Sequence, residues 1–478
     1  MAVKFTSSAE VFRWLSNFIN LEKGQKPKSF RIDRMEALSL LAGNPHKCAP
    51  SIHIAGSKGK GSVTGMLAAI LTAAGLRAAR YMSPHVNDIR ERICLDGSFF
   101  SEDIYCRAGD ELRDIVEARL HDSGLPPSAA ALFDTASPDG CEPTYWELLT
   151  LYFFLCARYA KCDIMAVETG LGGRLDSTNI LDPLVSVITL IELEHTNFLG
   201  GTIAQIAGEK AGIIKQGRPV VLAKQRCEAL EVFRKKAQEM NSPLYCLPEI
   251  SQLTDINVTS GGTSFSLSFS HSSLLSTSAS FTLPIPGKVQ AENAALAIAT
   301  IEIISKEFSH TQTREPMFAS HKIFNEDVIR KGLAGLKIPA RFEKINETPS
   351  FIIDGAHTPE SLSLCIETFC SLYGEGGVLI FGCAADKDAV AMARIAHPAD
   401  AAHSRFRKII ITTPGTFKAS DPALVYETFV KIAGEEKVSL VRDTREAAAQ
   451  AVSFAKEKEL PVLGTGSFYL VSEIRKLF

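Results

Sequence analysis

No apolar run in this 478-residue sequence reaches the ~18 residues that a membrane-spanning helix needs, so no transmembrane segment is expected. A large charge of one sign is missing too: 51 lysines and arginines against 54 aspartates and glutamates leave a formal net charge of −3. That balance supplies no basic field for nucleic acid or for an anionic membrane surface, and neither partner is expected. The 11 cysteines include no C-x-x-C pair, the usual spacing of a zinc site. They are expected to be reduced and buried as small apolar residues, as in a cytoplasmic protein. The opening MAVKFTSSAEVFRWLSNFIN lacks the basic, apolar, small-residue order of a secretory signal, which gives the same cytoplasmic expectation. No internal repeat is visible, and a composition 46% hydrophobic and 22% charged excludes a fibre or wholesale disorder.

What is present is a chain too long for one hydrophobic core, in which β-branched strand-like runs alternate with helix-period segments. The fold class is α/β with a mostly parallel, doubly wound sheet. The runs Ser51–Ile54, Ile164–Val167 and Val185–Ile191 each stop at a glycine-rich or polar loop, where such sheets bind ligands. Strand-loop-helix units restart at Phe351–Asp354, Val378–Gly382, Lys408–Thr412 and Pro461–Gly464. Two domains are therefore expected: residues 1–338 with a phosphate loop, and a smaller Rossmann-like unit at 339–478. Asp255–Ser280 alternates Phe265, Leu267 and Phe269 and reads as an antiparallel hairpin at the sheet edge, without chemistry. His121–Pro143 reads as a surface insertion, and Ser305–Phe324 as a polar segment before the second domain.

The chemistry starts at Gly56-Ser57-Lys58-Gly59-Lys60-Gly61-Ser62, a glycine-rich loop between a short strand and a helix that stops at Gly75. Glycines let backbone N–H groups turn toward an anion, the helix start adds partial positive charge, and Lys60 adds a full one for the β and γ phosphates. The strict pattern G-x-x-x-x-G-K-[ST] fails, because Ile54 takes its first glycine position and Gly61 replaces the hydroxyl residue. A hydroxyl ligand for Mg²⁺ then has to come from elsewhere. Ser83, before Pro84 and His85, is a candidate, although Ser-Pro alone reads first as a turn. Glu168 ends a strand as a hard oxygen donor suited to Mg²⁺, or else stabilises the turn that follows. Its loop, Gly170 to Asn179, does not complete G-x-G-x-x-G, because Leu175 stands where the last glycine belongs. His195 follows the next strand, with Glu209 and Lys210 on the helix expected over Thr202–Lys215. A serine, a glutamate and a histidine converging on strand ends beside a phosphate loop point to a two-metal phosphoryl site. In the second domain, Asp354 is either a turn residue or a group facing the first domain, Arg341 lies where a hinge is expected, and Lys387 is ambiguous in the same way.

In their order along the chain these segments closely resemble the folylpolyglutamate synthase and dihydrofolate synthase family, which belongs with the Mur cell-wall ligases. They are Gly56–Ser62, Ser83–His85 with Glu91–Ile93, Glu168–Asn179, Glu194–Gly200 and Gly208–Gly212. The likeness continues through Gln290–Ala294, Pro339–Phe342, Asp354–Pro359, Asp386–Asp388 and Gly466–Ser467, nearly the whole chain.

The resemblance implies an ATP-dependent ligase that joins L-glutamate to dihydropteroate or to the glutamate tail of a folate through an acyl phosphate. By the same resemblance Ser57, Lys58, Gly59, Lys60, Gly61 and Ser62 hold the ATP phosphates, with Asn293, Arg341 and Asp354 also on the nucleotide. Ser83 and Glu168 hold one Mg²⁺, and Glu168 and His195 share a second. Lys210 is carbamylated as a further metal ligand, and the catalytic set is Lys60, Glu168, His195 and Lys210. Thr144, Tyr145, Trp146, Glu147, Leu175, Asp176 and Ser177 match the pterin-holding segments, and His357 is a substrate residue. A monomer is expected. The chain departs from the family at Lys58 (usually Asn), Ala340 (Gly), Val289 (His) and Thr358 (Asn). The rival readings are a ligase of UDP-muramyl peptides and a nucleotide-binding regulator that has lost catalysis, with a Rossmann dehydrogenase a distant third.

Overall fold

The computed structural model describes the chain except residues 1–2, 21–24, 26–29, 120–125, 135–139, 273, 276–277, 309–322, 399–404 and 416–418. Three sheets organise it. The first contains β1 (Ser51–Ala55), β2 (Ala78–Tyr81), β3 (Ile93–Leu95), β4 (Ile164–Glu168), β5 (Val185–Ile188), β6 (Val220–Leu222) and β7 (Leu244–Cys246). Its order is β3-β2-β4-β1-β5-β6-β7, parallel throughout except for β3, which runs antiparallel to β2. All five residues of β1 are buried, as expected of a central strand covered on both faces. Because β1 lies between β4 and β5, the carboxyl ends of these three strands meet at a point where the winding reverses.

The third sheet holds β11 (Glu343–Asn346), β12 (Phe351–Ile353), β13 (Gly377–Phe381), β14 (Phe406–Ile411), β15 (Val438–Leu440) and β16 (Val462–Thr465). The order is β11-β12-β16-β13-β14-β15, with only β11 antiparallel. The carboxyl ends of β12 and β16 deliver Asp354 and Gly466 side by side, the Asp354 N–H donating to Gly464 O at 3.0 Å.

The second sheet corrects one sequence expectation. β8 (Ser251–Thr259), β9 (Gly262–Phe269) and β10 (Ala279–Leu283) pair only with one another, so the hairpin is not the edge of the large sheet. Phe265, Leu267, Phe281 and Leu283 alternate onto one buried face and join a core shared with the helices Lys60–Ala73, Lys288–Phe308 and Glu326–Ala334. Burying each of the two phenylalanines contributes about 2–3 kcal/mol. Phe269, the third member of the alternation, is only partly buried.

Other corrections are local. The strand expected to reach Ile191 ends at Ile188, because the Leu190 carbonyl turns aside to accept the N–H groups of Ser57 and Lys58 at 2.9 and 3.2 Å. The helix expected over Thr202–Lys215 is Ile203–Ala211, with Thr202 as its N-cap. Ser305 belongs to the helix Lys288–Phe308, and most of the remaining polar segment lies outside the described residues. The 121–143 stretch is undescribed at 121–125 and 135–139; its described part includes a one-turn helix, Pro127–Ala130, and buries Phe133 and Cys141. All 11 cysteines are free, but Cys48 and Cys227 are exposed rather than buried.

Candidate active site

The phosphate loop is shaped by two close approaches. Gly56 has φ +148°, and a Cβ there would lie 1.8 Å from Thr189 Oγ1; Gly59 has φ +89°, and a Cβ there would lie 2.4 Å from Asn293 Oδ1. Only glycine fits either place without shifting its neighbours. With Ser57 and Lys58 N–H groups engaged by Leu190 O, the backbone donors that open toward an anion are those at the start of the helix Lys60–Ala73. Lys60 Nζ folds back over the loop, donating to Gly56 O at 2.8 Å and toward Ser57 O at 3.4 Å.

Glu168, at the end of β4, is buried and accepts the Ser83 N–H on Oε2 at 3.2 Å. Burial pushes its carboxyl up to about 7, against the pull of Lys60 and Arg341. Arg341 reaches the same spot from the segment before β11: a Cβ on Gly61 would lie 3.5 Å from Glu168 Oε2 and 3.6 Å from Arg341 Nη2. The Arg341 guanidinium stacks over Phe468 at 4.4 Å. Asp354 fixes the turn beneath it, accepting the N–H groups of Phe342 and Ala356 at 2.8 Å each.

On the other side of β1, Lys210 Nζ donates to Gly56 O at 2.7 Å and to Glu194 Oε1 at 2.9 Å. Burial lowers the Lys210 ammonium to about 8 although Glu194 supports it. Burial would raise Glu194, but Lys60, Lys210 and Lys58 together draw it down to about 2. His195, held at φ +48°, is pushed by burial down to about 4 and is a neutral imidazole at pH 7.

A cavity of about 1690 Å³ collects these groups. Gly59, Lys60, Ser83, Glu168, Glu194 and His195 line it from the first sheet; Arg341, Asp354 and His357 line it from the side of the third. Asn293 overlooks the loop. Lys210 is absent from the wall: it sits behind Glu194, which presents its carboxylate in front. Glu192 and Glu194 are the acidic groups that sequence reasoning left without a role, although they stand next to His195 in the run Glu192-Leu193-Glu194-His195.

A hydroxyl, a carboxylate and a neutral imidazole are donors a hard divalent cation accepts. Among the described residues no group of three His, Cys, Asp or Glu is placed to hold a metal ion. Phosphate oxygens and water would have to complete the shell, as Mg²⁺ at nucleotide sites requires. The residues fit Mg²⁺ on that condition.

Of the residues matched to the pterin segments, Thr144, Trp146, Glu147, Leu175, Asp176 and Ser177 line the cavity, with Arg92 over the Trp146 ring at 5.2 Å. Asp176 shapes the loop: its Oδ2 accepts Gly170 and Leu171 N–H groups at 2.9 and 2.8 Å, and its Oδ1 takes Thr178 N and Oγ1. Tyr145 packs against Trp146, ring centroids 5.6 Å apart, outside the cavity lining. Thr144 and Glu147 form a capping box on the helix Tyr145–Tyr159, and Glu147 also pairs with the buried Arg34 at 2.9 Å. Thr144→Ala is therefore expected to cost about 1 kcal/mol of folding stability through the lost cap, read as a lower urea midpoint at unchanged slope.

Two family matches fall on this architecture: the Mur ligase middle domain over residues 132–301 and the Mur ligase glutamate ligase domain over residues 340–468. Together with the cavity between the sheets, they define an ATP-dependent ligase of the acid–amino acid class. The chain belongs, within that class, to the dihydrofolate synthase/folylpolyglutamate synthase family. It is 30% identical to dihydrofolate synthase/folylpolyglutamate synthase of Bacillus subtilis over 99% of both chains. It is 31% identical to folylpolyglutamate synthase of Lacticaseibacillus casei over 93% of this chain and 94% of that one. The folylpolyglutamate synthase of Mycobacterium tuberculosis, solved with ADP and AMPPCP, superposes with a TM-score of 0.80 at 27% identity, over 98% and 97% of the two chains. A folylpolyglutamate synthase bound to AMPPCP and folate gives 0.77 at 27% identity, over 98% and 99%.

Proposed function

We propose that this chain adds L-glutamate both to dihydropteroate and to the glutamate tail of folates, with ATP bound by the phosphate loop and two Mg²⁺ ions beside it. A unit at residues 1–338 carries the loop and one at 339–478 closes over it, the enzyme acting as a cytoplasmic monomer. The observation that carries this reading is the convergence of Lys60, Glu168 and His195 with Arg341, Asp354 and His357 around one cavity. Bound to Ser83, Glu168 and His195, with Lys210 carbamylated behind them, Mg²⁺ would supply charge neutralisation for the phosphates.

The protein's own groups do the rest. A carboxylate resists attack by an amine, whereas an acyl phosphate does not. Transfer of the γ-phosphoryl group to the substrate carboxylate therefore precedes displacement of phosphate by the glutamate amine. Lys60 and the helix start above Gly59 stabilise the charge spread over the transferring group. Asn293 and Arg341 orient the nucleotide from opposite sides, and Asp354 holds the Arg341 turn in place. Trp146 and the Leu175–Ser177 loop wall the pterin end, and approach of the third sheet excludes water that would hydrolyse the intermediate.

The test supplies ATP, Mg²⁺ and L-glutamate with either dihydropteroate or tetrahydrofolate and identifies the product by mass. A single added glutamyl residue on each acid is expected. Conjugation of tetrahydrofolate alone would reduce the reading to one activity, and conjugation of neither would overturn it. Carbamylation of Lys210 is read separately, as a carbamate carbon signal after exchange with carbon-13 bicarbonate that is lost in Lys210→Ala.

A further inference from the structure

Glu192 lies just beyond β5 and has no part in the mechanism above. Its main chain is clamped against the phosphate loop. Ser57 Oγ donates to Glu192 O at 3.0 Å, the preceding Ile191 N–H donates to Gln225 Oε1 at 3.2 Å, and Leu190 O accepts the Ser57 and Lys58 N–H groups. The residue is 8% exposed, yet its side chain lines the cavity, and Oε2 has no hydrogen-bond partner among the described residues. Leaving a buried carboxylate oxygen unpaired forfeits its hydration without replacement, which invites a ligand donor to the place.

The charged groups around it are of both signs. Lys58 lines the same wall and is the basic group that acts most strongly on Glu192, with Arg226 acting more weakly and Glu194 and Glu360 opposing. Across the cavity stand Lys387 and His357, and Lys58 and Lys387 both act on His357. His357 Nδ1 is engaged by Gly355 O at 2.8 Å. Among the described residues Lys387 makes one loose ion pair, with Asp386 at 3.5 Å. One orphaned carboxylate oxygen among two lysines matches a ligand with one ammonium and two carboxylates.

We propose that Glu192, Lys58 and Lys387 form the site for the incoming L-glutamate, its ammonium on Glu192 Oε2 and its carboxylates on the two lysines. This deepens the ligase reading and rests on it. The site spans both lobes, so the amino acid is fully held only when the third sheet stands against the phosphate loop. Its amine then lies beside the same loop that positions the γ-phosphate, where an acyl phosphate would form. The ammonium gives one proton to Glu192 Oε2, the free amine attacks the acyl carbon, and the second proton leaves with inorganic phosphate as the acyl–oxygen bond breaks, so the step balances without any further reagent.

The test compares Glu192→Gln, Lys58→Met and the wild type by steady-state kinetics at saturating ATP and folate, and by titration calorimetry of L-glutamate into enzyme holding AMPPCP and folate. The expected result is a KM for L-glutamate at least about 10-fold higher in each variant, matching weaker L-glutamate binding, with KM for the folate unchanged. Glu192→Gln keeps the shape of the side chain, so its thermal midpoint reports folding separately. An unchanged KM for L-glutamate in Glu192→Gln, or a rise confined to ATP, overturns the assignment. If the wild type conjugates no glutamate at all, it is the ligase reading that fails.

Discussion

Lys60→Ala is expected to lower glutamate-dependent ADP formation by on the order of 10³-fold, the loss seen when a group that stabilises transition-state charge is removed. Lys60 Nζ lies 2.8 Å from Gly56 O, directly over the loop, and no backbone donor can replace its full charge. The side chain is partly exposed and packs into no hydrophobic core, so the thermal midpoint is expected to stay where it is. Phosphoryl transfer measured by ADP release, with circular dichroism as the control for folding, checks both halves. Wild-type ADP release from the alanine variant would remove Lys60 from the phosphate site.

Glu168→Gln separates activity from stability. Turnover is expected to fall by about 10²–10³-fold, because the amide is a poor ligand for a hard cation. Stability is expected to move the other way. Burial raises the Glu168 carboxyl from 4.5 to about 7, so the folded protein keeps this proton to higher pH than the unfolded chain does. The stability contributed is complete below 4.5 and is lost as pH rises through about 7. Above that range the ionised, buried carboxylate costs on the order of 3 kcal/mol in the metal-free protein. The glutamine variant, without Mg²⁺, should therefore melt above the wild type at pH 8 and level with it near pH 5. Equal melting differences at the two pH values would contradict the buried-carboxylate account, and full turnover would contradict the metal role.

The parts of the site that sequence spacing made legible are those a single strand-loop-helix unit fixes. Gly56 to Ser62, Glu168 and Asp354 each sit where a parallel strand ends, and the alternation of apolar runs with helical ones locates those ends. The capping box at Thr144 and Glu147 was also spelled out, as T-x-x-E before an apolar run, although the resemblance drew attention to substrate instead. Arrangements that depend on three dimensions were not legible. Lys210 faces the cavity or stands behind it according to how the helix Ile203–Ala211 packs against the loop, which no local pattern sets. Glu192 gains its interest only because Ser57, 135 residues away, holds its carbonyl, and Gln225, 34 residues from Ile191, holds the N–H of that preceding residue. The alternation of Phe265 and Leu267 revealed a strand with one buried face but not which sheet it joins, and β9 joins a sheet of its own.

The central claim, that a substrate carboxylate is activated by ATP's terminal phosphate within this cavity, is tested most directly by isotope transfer. With oxygen-18 placed in the accepting carboxylate of the folate, turnover should carry one labelled oxygen into the released inorganic phosphate. Phosphate free of the label, with glutamate conjugation proceeding normally, would contradict the account.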